Sequence, residues 1–337
     1  MIDLRSDTLT KPDKPMLEAM MAAEVGDDVF MEDVTVNDLQ RKCAILSGKD
    51  DALFVPTGVM GNQLAIKCHT EPGNEVIVES ESHILNYETA APSVISNVQL
   101  FPVKGNNGIL YSDDIKDFIR GTEYYFPVTK LICLENTHNR AGGVILPIES
   151  IESISTLAKE KNIKTHLDGA RIFNAIAETE ITLKTYATYF DSISFCFSKG
   201  LGCPVGSILC GSFEFIEKAR KWRKILGGGM RQAGILAGAA IYAMSNNVER
   251  LKTDNDRAKE FAKKLFELGF DLNPELVQTN IIIFKHPKYP KTDLMNKFKD
   301  MKVLISSGSY DYLRIVFHKD ISEENYQNLL NMFVNFV

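Results

Sequence analysis

The sequence is short of the residue patterns that mark metal-binding, redox and secreted proteins. Its six cysteines form no C-x-x-C pair, and its six histidines show no H-E-x-x-H or other metal-ligand spacing. Cys133 and Cys196 lie in apolar, strand-like stretches, so we expect reduced thiols in a core. These absences predict neither a metal site nor a disulfide framework.

Long apolar runs and basic clusters are also missing. The first seven residues contain no apolar signal segment, and the most apolar later run, 235–244, is too short to span a bilayer. The formal charge is -6 and no basic cluster is interleaved with aromatics, which argues against nucleic acid as a partner. We therefore predict a soluble cytoplasmic protein without a membrane partner.

What the chain does contain is a regular alternation of strand-like and helix-like segments. Apolar segments without polar alternation are predicted as buried strands at 52–55, 75–78, 98–103, 131–134, 163–167, 192–197 and 207–210. Helical stretches separate several of them, and one at 35–46 has Thr35 as its expected N-cap. This pattern predicts an α/β fold with a mostly parallel central sheet and helices on both faces.

The character of the sequence changes near residue 246, where a charged helical stretch leads into shorter strand-like pieces. We predict a large α/β domain over 1–246, with an N-terminal arm at 1–13. A small α+β C-terminal domain is predicted over 247–337.

One lysine stands at the end of a predicted strand. Lys199 follows the apolar segment 192–197 and has only small neighbours, Ser198 and Gly200. An ammonium at the end of a buried strand must be paired, neutralised or used covalently, and a desolvated lysine is what Schiff-base chemistry requires. The plainer alternative is that Lys199 opens a surface turn.

An acid ends another predicted strand, in Thr165-His166-Leu167-Asp168-Gly169. In a doubly wound sheet the carboxyl ends of strands line the ligand crevice, so Asp168 and Lys199 are predicted to face one cleft. Pyridoxal 5'-phosphate (PLP) needs a lysine for its aldehyde and a carboxylate against its ring nitrogen, which makes it the predicted cofactor. Asp168 can also be a helix N-cap, which is the common alternative role.

Two glycine-containing turns suit a phosphate group. Thr57-Gly58-Val59 leads from a strand into a helix, whose N-terminal N–H groups and dipole favour an anion. Gly227-Gly228-Gly229 precedes Arg231 before an apolar helix, where an arginine should have an anionic partner. A glycine hinge with a structural ion pair explains the second turn equally well.

Taken together, these residues resemble the threonine aldolases, PLP enzymes of fold type I that are related to the β-eliminating lyases. The resemblance extends over nearly the whole chain. It rests on Asp3-Leu4-Arg5-Ser6-Asp7-Thr8, Val25-Gly26-Asp27-Asp28-Val29, Glu135-Asn136-Thr137-His138-Asn139 with Gly142-Gly143, His166-Leu167-Asp168-Gly169-Ala170-Arg171, Ser198-Lys199-Gly200-Leu201, Pro204-Val205-Gly206-Ser207 and Gly227-Gly228-Gly229-Met230-Arg231-Gln232-Ala233-Gly234.

The resemblance implies a role for each site residue. Lys199 would hold the cofactor aldehyde, Asp168 its ring nitrogen, and His83 would stack on the ring and is a candidate base. The remaining cofactor contacts would come from Thr57, Gly58, Val59, Arg171 and, from an adjacent subunit, Arg231. The substrate would be surrounded by Ser6, Tyr87, Tyr125, Arg171 and Arg314. A homo-oligomer, a dimer of dimers, with active sites at the subunit interface is therefore implied.

Four of these positions can be judged without the resemblance or depart from it. Arg314 lies in an apolar β-run and suits bidentate carboxylate binding, whereas His83 alone is more typical of a structural loop histidine. Val59 replaces a hydroxyl residue but leaves the backbone amides. Tyr125 stands where many members have a histidine near the substrate hydroxyl.

The activity that the resemblance implies is retro-aldol Cα–Cβ cleavage of L-threonine or L-allo-threonine to glycine and acetaldehyde. Another fold type I PLP enzyme, such as a racemase, β-eliminating lyase or aminotransferase, would share Lys199 and Asp168. A nicotinamide-dependent oxidoreductase is the alternative from a different class, but no G-x-G-x-x-G follows a strand.

Overall fold

The structure is a computed structural model that describes residues 1–121 and 123–333. Its strands are β1 (Ile2–Asp3), β2 (Asp51–Val55), β3 (Glu75–Glu79), β4 (Gln99–Val103), β5 (Thr129–Glu135), β6 (Lys164–Asp168), β7 (Ser192–Cys196), β8 (Ser207–Gly211), β9 (Ile281–Phe284), β10 (Val303–Leu304), β11 (Ser306–Ser307) and β12 (Leu313–Val316). Its α-helices are α1 (Lys14–Met21), α2 (Val34–Ser47), α3 (Gly58–His69), α4 (His83–Asn86), α5 (Ser112–Ile115), α6 (Ile148–Glu160), α7 (Ile172–Thr179), α8 (Leu183–Thr188), α9 (Phe213–Ile225), α10 (Gly234–Asn246), α11 (Leu251–Glu267), α12 (Lys291–Asp300) and α13 (Glu323–Phe333).

A seven-stranded sheet in the order β2-β8-β7-β6-β5-β3-β4 forms the centre of the molecule. Strands β4, β3, β5, β6 and β7 pair in parallel, whereas β8 is antiparallel to both of its neighbours. The link from β7 to β8 contains no helix, and a parallel pair needs a crossover of about a dozen residues or more. The prediction of a mostly parallel sheet is confirmed, with β8 as the reversed strand.

Helices cover both faces of this sheet. Successive strand residues point to opposite faces, so Leu53 and Val55 pack with residues of α3 and α9, while Phe54 packs with residues of α2. Strands β3, β7 and β8 are buried along their whole length. Burial on two faces explains the apolar runs of β3 and β8, whereas β7 buries Ser192 and Ser194 in alternation with Ile193 and Phe195.

A second apolar core is built from the C-terminal part of the chain. It contains the antiparallel sheet β11-β12-β9 and the buried faces of α11, α12 and α13. The first residues of the chain belong to it as well, because β1 pairs with β10 and the Val316 N–H donates to the Leu4 carbonyl at 2.8 Å. The boundary near residue 246 stays a prediction, and residues 334–337 of the small domain lie outside the described residues.

The predicted cap of α2 was wrong. The helix begins at Val34, and its N-cap is Asp33, whose carboxylate accepts from the Val36 N–H at 2.9 Å. The Thr35 hydroxyl instead donates to the Glu24 carbonyl at 2.6 Å. Asp33 also accepts from the Gly234 N–H at 2.9 Å, so the cap fastens α2 to the start of α10.

The cysteines are all free, and five of the six are buried, as expected of core thiols. Among the described helices, none has both the length and the apolar character needed to cross a membrane.

Candidate active site

A cavity of about 290 Å³ opens at the carboxyl edge of the central sheet, against the C-terminal core. Of the residues predicted for the site, it brings together Ser6, His83, Tyr87, Arg171, Lys199 and Arg314. They come from the N-terminal arm, from the ends of the parallel strands and from β12, so the two cores share this cavity. This is the crevice in which doubly wound sheets bind ligands.

Lys199 lies three residues after the end of β7, in the segment that returns to β8. Its carbonyl accepts from the Thr10 hydroxyl at 2.7 Å and from the Gly202 N–H at 2.8 Å, which holds the turn in place. The side chain lines the cavity. Lys199 is thus in a turn, as the plainer alternative had it, but the turn faces the cavity.

Asp168 ends β6 and is only 3% exposed. One carboxylate oxygen accepts from the Asn62 side-chain amide at 2.8 Å, and the other accepts from the Ala170 N–H at 3.1 Å. The N-cap position of α7 is occupied by Arg171, so Asp168 is not the cap of that helix. Its carboxylate is therefore held rigidly at the end of the strand by buried donors.

Asn62 is a buried neighbour of Asp168 that the sequence did not single out. Its side-chain oxygen accepts from the Ser194 hydroxyl at 2.9 Å and lies 3.2 Å from His166 Nε2, while its amide holds Asp168. Burial lowers the pKa of His166 to about 4, so this imidazole is neutral at pH 7. The signal for Asn62 in the sequence was a polar side chain on the buried face of α3.

His83 begins the short helix α4, where its backbone N–H donates to Glu135 at 2.6 Å. Its ring Nδ1 lies 2.9 Å from Glu88 Oε1, and the ring lies 5.5 Å from that of Tyr87. Burial acts to lower the pKa of His83, but the hydrogen bond to Glu88 and the charges of Asp168 and Glu135 outweigh it and raise the pKa above its ordinary value.

Arg171 is already paired in the free protein. Its Nε and Nη2 atoms donate to the two carboxylate oxygens of Asp7, both at 2.7 Å, and Nη1 donates to Asn139 Oδ1 at 3.3 Å. Asp7 is fully buried. Burial acts to raise the pKa of Asp7, but the charge and hydrogen bonds of Arg171, together with the charges of Lys199 and Arg314, outweigh it and hold this pKa well below its usual range. In the sequence Asp7 is only one residue of a longer motif, and its pairing with Arg171 is visible only in the fold.

Arg314 differs from Arg171 in its hydrogen-bond partners. Its Nη2 donates to Asn139 Oδ1 at 2.8 Å and its Nη1 to the Arg5 carbonyl at 3.4 Å, but no described carboxylate pairs with it. Its buried Nε also finds no hydrogen-bond acceptor within the described chain. Burial and the charge of Arg171 lower the pKa of Arg314 to about 10, so it remains cationic at pH 7. A cation with a spare donor at a cavity suits a carboxylate ligand.

Arg140 is a further cavity residue that the sequence did not single out. Its guanidinium lies over the Tyr87 ring at 5.6 Å, its Nη1 donates to the Tyr87 hydroxyl at 3.4 Å, and it forms an ion pair with Glu81. Arg140 also lines a neighbouring cavity of about 720 Å³. It therefore stands between the two cavities.

Thr57, Gly58 and Val59 form the start of α3. The Thr57 hydroxyl caps the helix by accepting from the Met60 N–H at 3.1 Å, and the Gly58 and Val59 N–H groups lie where a helix leaves donors without intrahelical partners. A Cβ on Gly58 would lie 2.7 Å from Cys196 Sγ, so only glycine fits. Ser6 similarly caps the 3₁₀ turn Asp7–Leu9, accepting from the Thr8 N–H at 3.2 Å.

Six predicted residues are not in the lining of this cavity within one chain: Thr57, Gly58, Val59 and Asp168, described above, and Arg231 and Tyr125. Arg231 pairs with Asp27 at 2.8 Å and its side chain is 56% exposed. Tyr125 is 66% exposed and its ring packs against those of Tyr124 and Phe126. Their roles in a site shared between subunits stay predictions.

The residues that are present match the groups of PLP. A lysine for the aldehyde, a fixed carboxylate for the ring nitrogen, an imidazole near that carboxylate and a helix N-terminus for the phosphate all belong to the same sheet edge. This fold and this site define a PLP-dependent enzyme of fold type I.

Comparisons with known proteins narrow the family to which the chain belongs. The family model described as beta-eliminating lyase matches residues 3–287. The chain is 44% identical to the low specificity L-threonine aldolase of Escherichia coli K12 over 325 residues, which cover 96% of each protein. It is 42% identical to a probable low-specificity L-threonine aldolase of Arabidopsis thaliana, over 98% of this chain and 96% of that one.

A solved structure has the same fold at lower sequence similarity. The threonine aldolase of Leishmania major has a TM-score of 0.85 at 19% identity, covering 99% of both chains. The chain belongs to the beta-eliminating lyase family, on its threonine aldolase branch.

Proposed function

We propose that this protein cleaves L-threonine and L-allo-threonine to glycine and acetaldehyde with PLP as its cofactor. The observation that carries the proposal is Arg314, a cation that forms no ion pair with a described carboxylate, in the cavity that also contains Lys199. Such a pair supports a substrate that has a carboxylate and an amino group on one carbon. The relatives named above carry the corresponding activity in their names.

The arginines orient the substrate. Arg314 binds the substrate carboxylate. Arg171 remains paired with Asp7 and contributes positive potential beside Arg314. Asn139 Oδ1 accepts from both guanidinium groups and fixes their relative position. Because these contacts are made in the ground state and in the transition state alike, they set affinity and the angle of the breaking bond.

PLP, when bound, supplies a ring system that accepts the electron pair left at Cα as the Cα–Cβ bond breaks. Asp168 would keep a proton on the ring nitrogen with its rigid carboxylate, and Lys199 Nζ would hold the cofactor aldehyde. His83 Nε2 is the free ring nitrogen, since Nδ1 is engaged by Glu88. We propose that Nε2 accepts the proton of the β-hydroxyl group. Loss of this proton turns Cβ into the aldehyde carbon.

The decisive experiment measures glycine and acetaldehyde released from each threonine isomer by the PLP-loaded protein. Lys199→Ala should lose nearly all turnover, and Asp168→Asn should lose more in kcat than in KM because a neutral amide supports the ring charge poorly. Lys161→Ala, at the exposed end of α6, is the matched control and should retain activity. Full activity of Lys199→Ala would overturn the proposal.

β-Elimination is the second candidate, because the matching family model is described by that reaction. The two reactions differ in the bond that breaks. β-Elimination of threonine gives ammonia and a 2-oxo acid, whereas aldol cleavage gives glycine. Quantifying glycine against ammonia in one reaction mixture therefore separates them.

We also propose a homotetramer, a dimer of dimers, in which Arg231 completes the phosphate site of a neighbouring subunit. Arg231, which pairs with Asp27, is exposed, and the turn after Asp27 exposes Phe30 and Met31. This combination of a charged and an apolar surface supports burial of these residues against a second copy of the chain. Met31→Asp should lower the assembly state and weaken PLP binding together. Phe266→Asp, at an exposed apolar position on α11, is the control. Monomers with full PLP affinity would contradict this arrangement.

We further propose a cytoplasmic location, which the six free cysteines support because disulfides are rare there. Cell fractionation with an antibody against the protein tests it, and recovery in a membrane or extracellular fraction would refute it.

A further inference from the structure

Glu88 is a buried carboxylate that no comparison and no sequence motif assigns to the site. It follows α4 and is 1% exposed. Its two oxygens meet three polar groups: Oε1 accepts from Asn62 Nδ2 at 2.8 Å and lies 2.9 Å from His83 Nδ1, and Oε2 accepts from Gln63 Nε2 at 2.6 Å. A carboxylate this deeply buried is stable only because these groups hold it.

The backbone after Glu88 adopts an unfavourable conformation. Thr89 and Ala90 have φ values of 52° and 57°, so two successive residues with side chains are left-handed. The Ala91 N–H donates to the Glu88 carbonyl at 2.8 Å and closes this turn. Strain of this kind is retained where the surroundings impose it, and here it accompanies the carboxylate beneath His83.

Contact with Glu88 determines which nitrogen of His83 is free. A carboxylate is an acceptor only, so Nδ1 must carry the proton that it shares with Oε1. The unprotonated nitrogen of the neutral ring is then Nε2. Because Glu88 is itself fixed by Asn62 and Gln63, the ring has one preferred orientation.

Asn62 connects this arrangement to the cofactor carboxylate. The same Nδ2 atom lies 2.8 Å from Glu88 Oε1 and 2.8 Å from Asp168 Oδ2. The ligand atoms of His83, Glu88 and Asp168 lie within 4.8 Å of one another, a spacing that would also suit a metal ion. Asn62, Gln63 and His83 already provide hydrogen-bond donors to both Glu88 oxygens, so no metal ion is needed to explain their burial.

The charges around His83 favour its role as a proton acceptor. Three acids face it: Glu88 from below, Asp168 from β6 and Glu135 from β5. The cations on the other side of the cavity are Lys199, Arg140, Arg171 and Arg314, and Tyr87 packs against the ring. Glu88 is the acid in direct contact with the imidazole.

We propose that Glu88 is a positioning residue for the reaction: it fixes the Nδ1–H tautomer of His83 and strengthens Nε2 as the acceptor of the substrate hydroxyl proton. This inference rests on the function proposed above. Glu88 is not among the residues that line the cavity, so its removal should act on kcat rather than on KM.

Two substitutions separate the charge of Glu88 from its geometry. Glu88→Gln keeps an oxygen that can accept from Nδ1 but removes the charge, so we expect kcat to fall about 10-fold. Glu88→Leu removes both, leaves Asn62 and Gln63 unpaired, and should lower kcat by about 100-fold or more. In Glu88→Gln the acidic limb of the kcat/KM profile should move to lower pH, because the imidazole loses the neighbour that raises its pKa.

A second measurement does not depend on turnover. In PLP-free, ¹⁵N-histidine-labelled protein, assigned with His83→Gln, the neutral ring should be protonated on Nδ1, and its pKa should fall in Glu88→Gln. The matched control is Glu79→Gln, which alters the other buried glutamate–histidine pair, Glu79 with His138 at 2.9 Å. That variant should leave the His83 signals and the pH profile in place.

The outcomes are distinct. An Nε2-protonated neutral ring in the wild type, or an unchanged His83 pKa in Glu88→Gln, would overturn the proposal. A shifted pKa with an unmoved acidic limb would show that the contact is structural only, which also overturns it. If the wild type released no glycine from threonine, the proposed function would fail, whereas the NMR measurement would still decide whether Glu88 controls His83.

Discussion

Arg314 should show opposite effects on substrate affinity and on stability when it is replaced. Arg314→Met removes a cation that has no described carboxylate partner and whose Nε finds no acceptor in the described chain. Methionine fills similar space without the charge. A lone cation near a core is costly to desolvate, so its loss should leave the free energy of unfolding within about 1 kcal/mol of the wild type, or raise it.

The same change should be severe for binding. A hydrogen bond to a charged group contributes about 1.5–3 kcal/mol, and a guanidinium can offer two to a carboxylate. A loss of about 3 kcal/mol corresponds to roughly a 100-fold increase in KM for threonine. Because this contact persists through the reaction, kcat should change less than KM. Initial rates over a wide threonine range measure both constants.

Arg250→Met is the matched control for stability. Arg250 donates to both oxygens of the buried Asp254, at 2.6 and 2.9 Å. Removing this arginine leaves a buried carboxylate unpaired, which should cost about 3 kcal/mol or more in denaturant unfolding. The reasoning about Arg314 is refuted if Arg314→Met destabilises the protein as much as Arg250→Met does, or if its KM is unchanged.

Three further predictions concern the residues around the cavity. Asp7→Asn leaves Arg171 unpaired and should cost about 3–5 kcal/mol of unfolding free energy. Because the pKa of Asp7 is depressed, this contribution is complete above the unfolded value of about 3.9 and is lost only as the pH falls through the folded value. Denaturant titrations should therefore show a constant difference from pH 5 to 8, and a difference that varies there contradicts the assignment. Arg140→Ala should raise kcat/KM for substrates with a larger β-substituent relative to threonine, because it opens the way to the second cavity; equal ratios count against a barrier. Tyr125→His should shift the ratio of the specificity constants for threonine and allo-threonine, and an unchanged ratio removes Tyr125 from the substrate site.

Local sequence was sufficient for the strands of the central sheet and for the residues at their ends, but not for the two-residue strands β1 and β11. A strand buried on both faces needs a continuous apolar run, and that run is legible without knowledge of its neighbours. Asp168 was predicted at the end of one such run and Lys199 just beyond another, and parallel strands bring their carboxyl ends to one edge. For this reason the position of the site followed from the order of the segments.

The resemblance to the threonine aldolases supplied what local sequence did not. His83 has no distinguishing neighbours in the chain, and its place in the cavity became an expectation only through the resemblance, which rests on motifs elsewhere in the chain. Capping was less predictable: Asp33 and Thr35 are both good N-cap residues, and the contact of Asp33 with Gly234 favoured the former.

Tertiary structure alone decided the partners of the buried charges. Asp7 meets Arg171, Asn62 meets both Asp168 and Glu88, and Asn139 joins Arg171 to Arg314. Nearly all of these pairs are separated by many residues in the chain, so no local pattern encodes them. A buried carboxylate or guanidinium must find its donors or acceptors wherever the fold places them, because leaving it unpaired costs several kcal/mol. The sequence determined which chemical groups the active site contains, whereas the packing of distant elements determined the charge and orientation of each group.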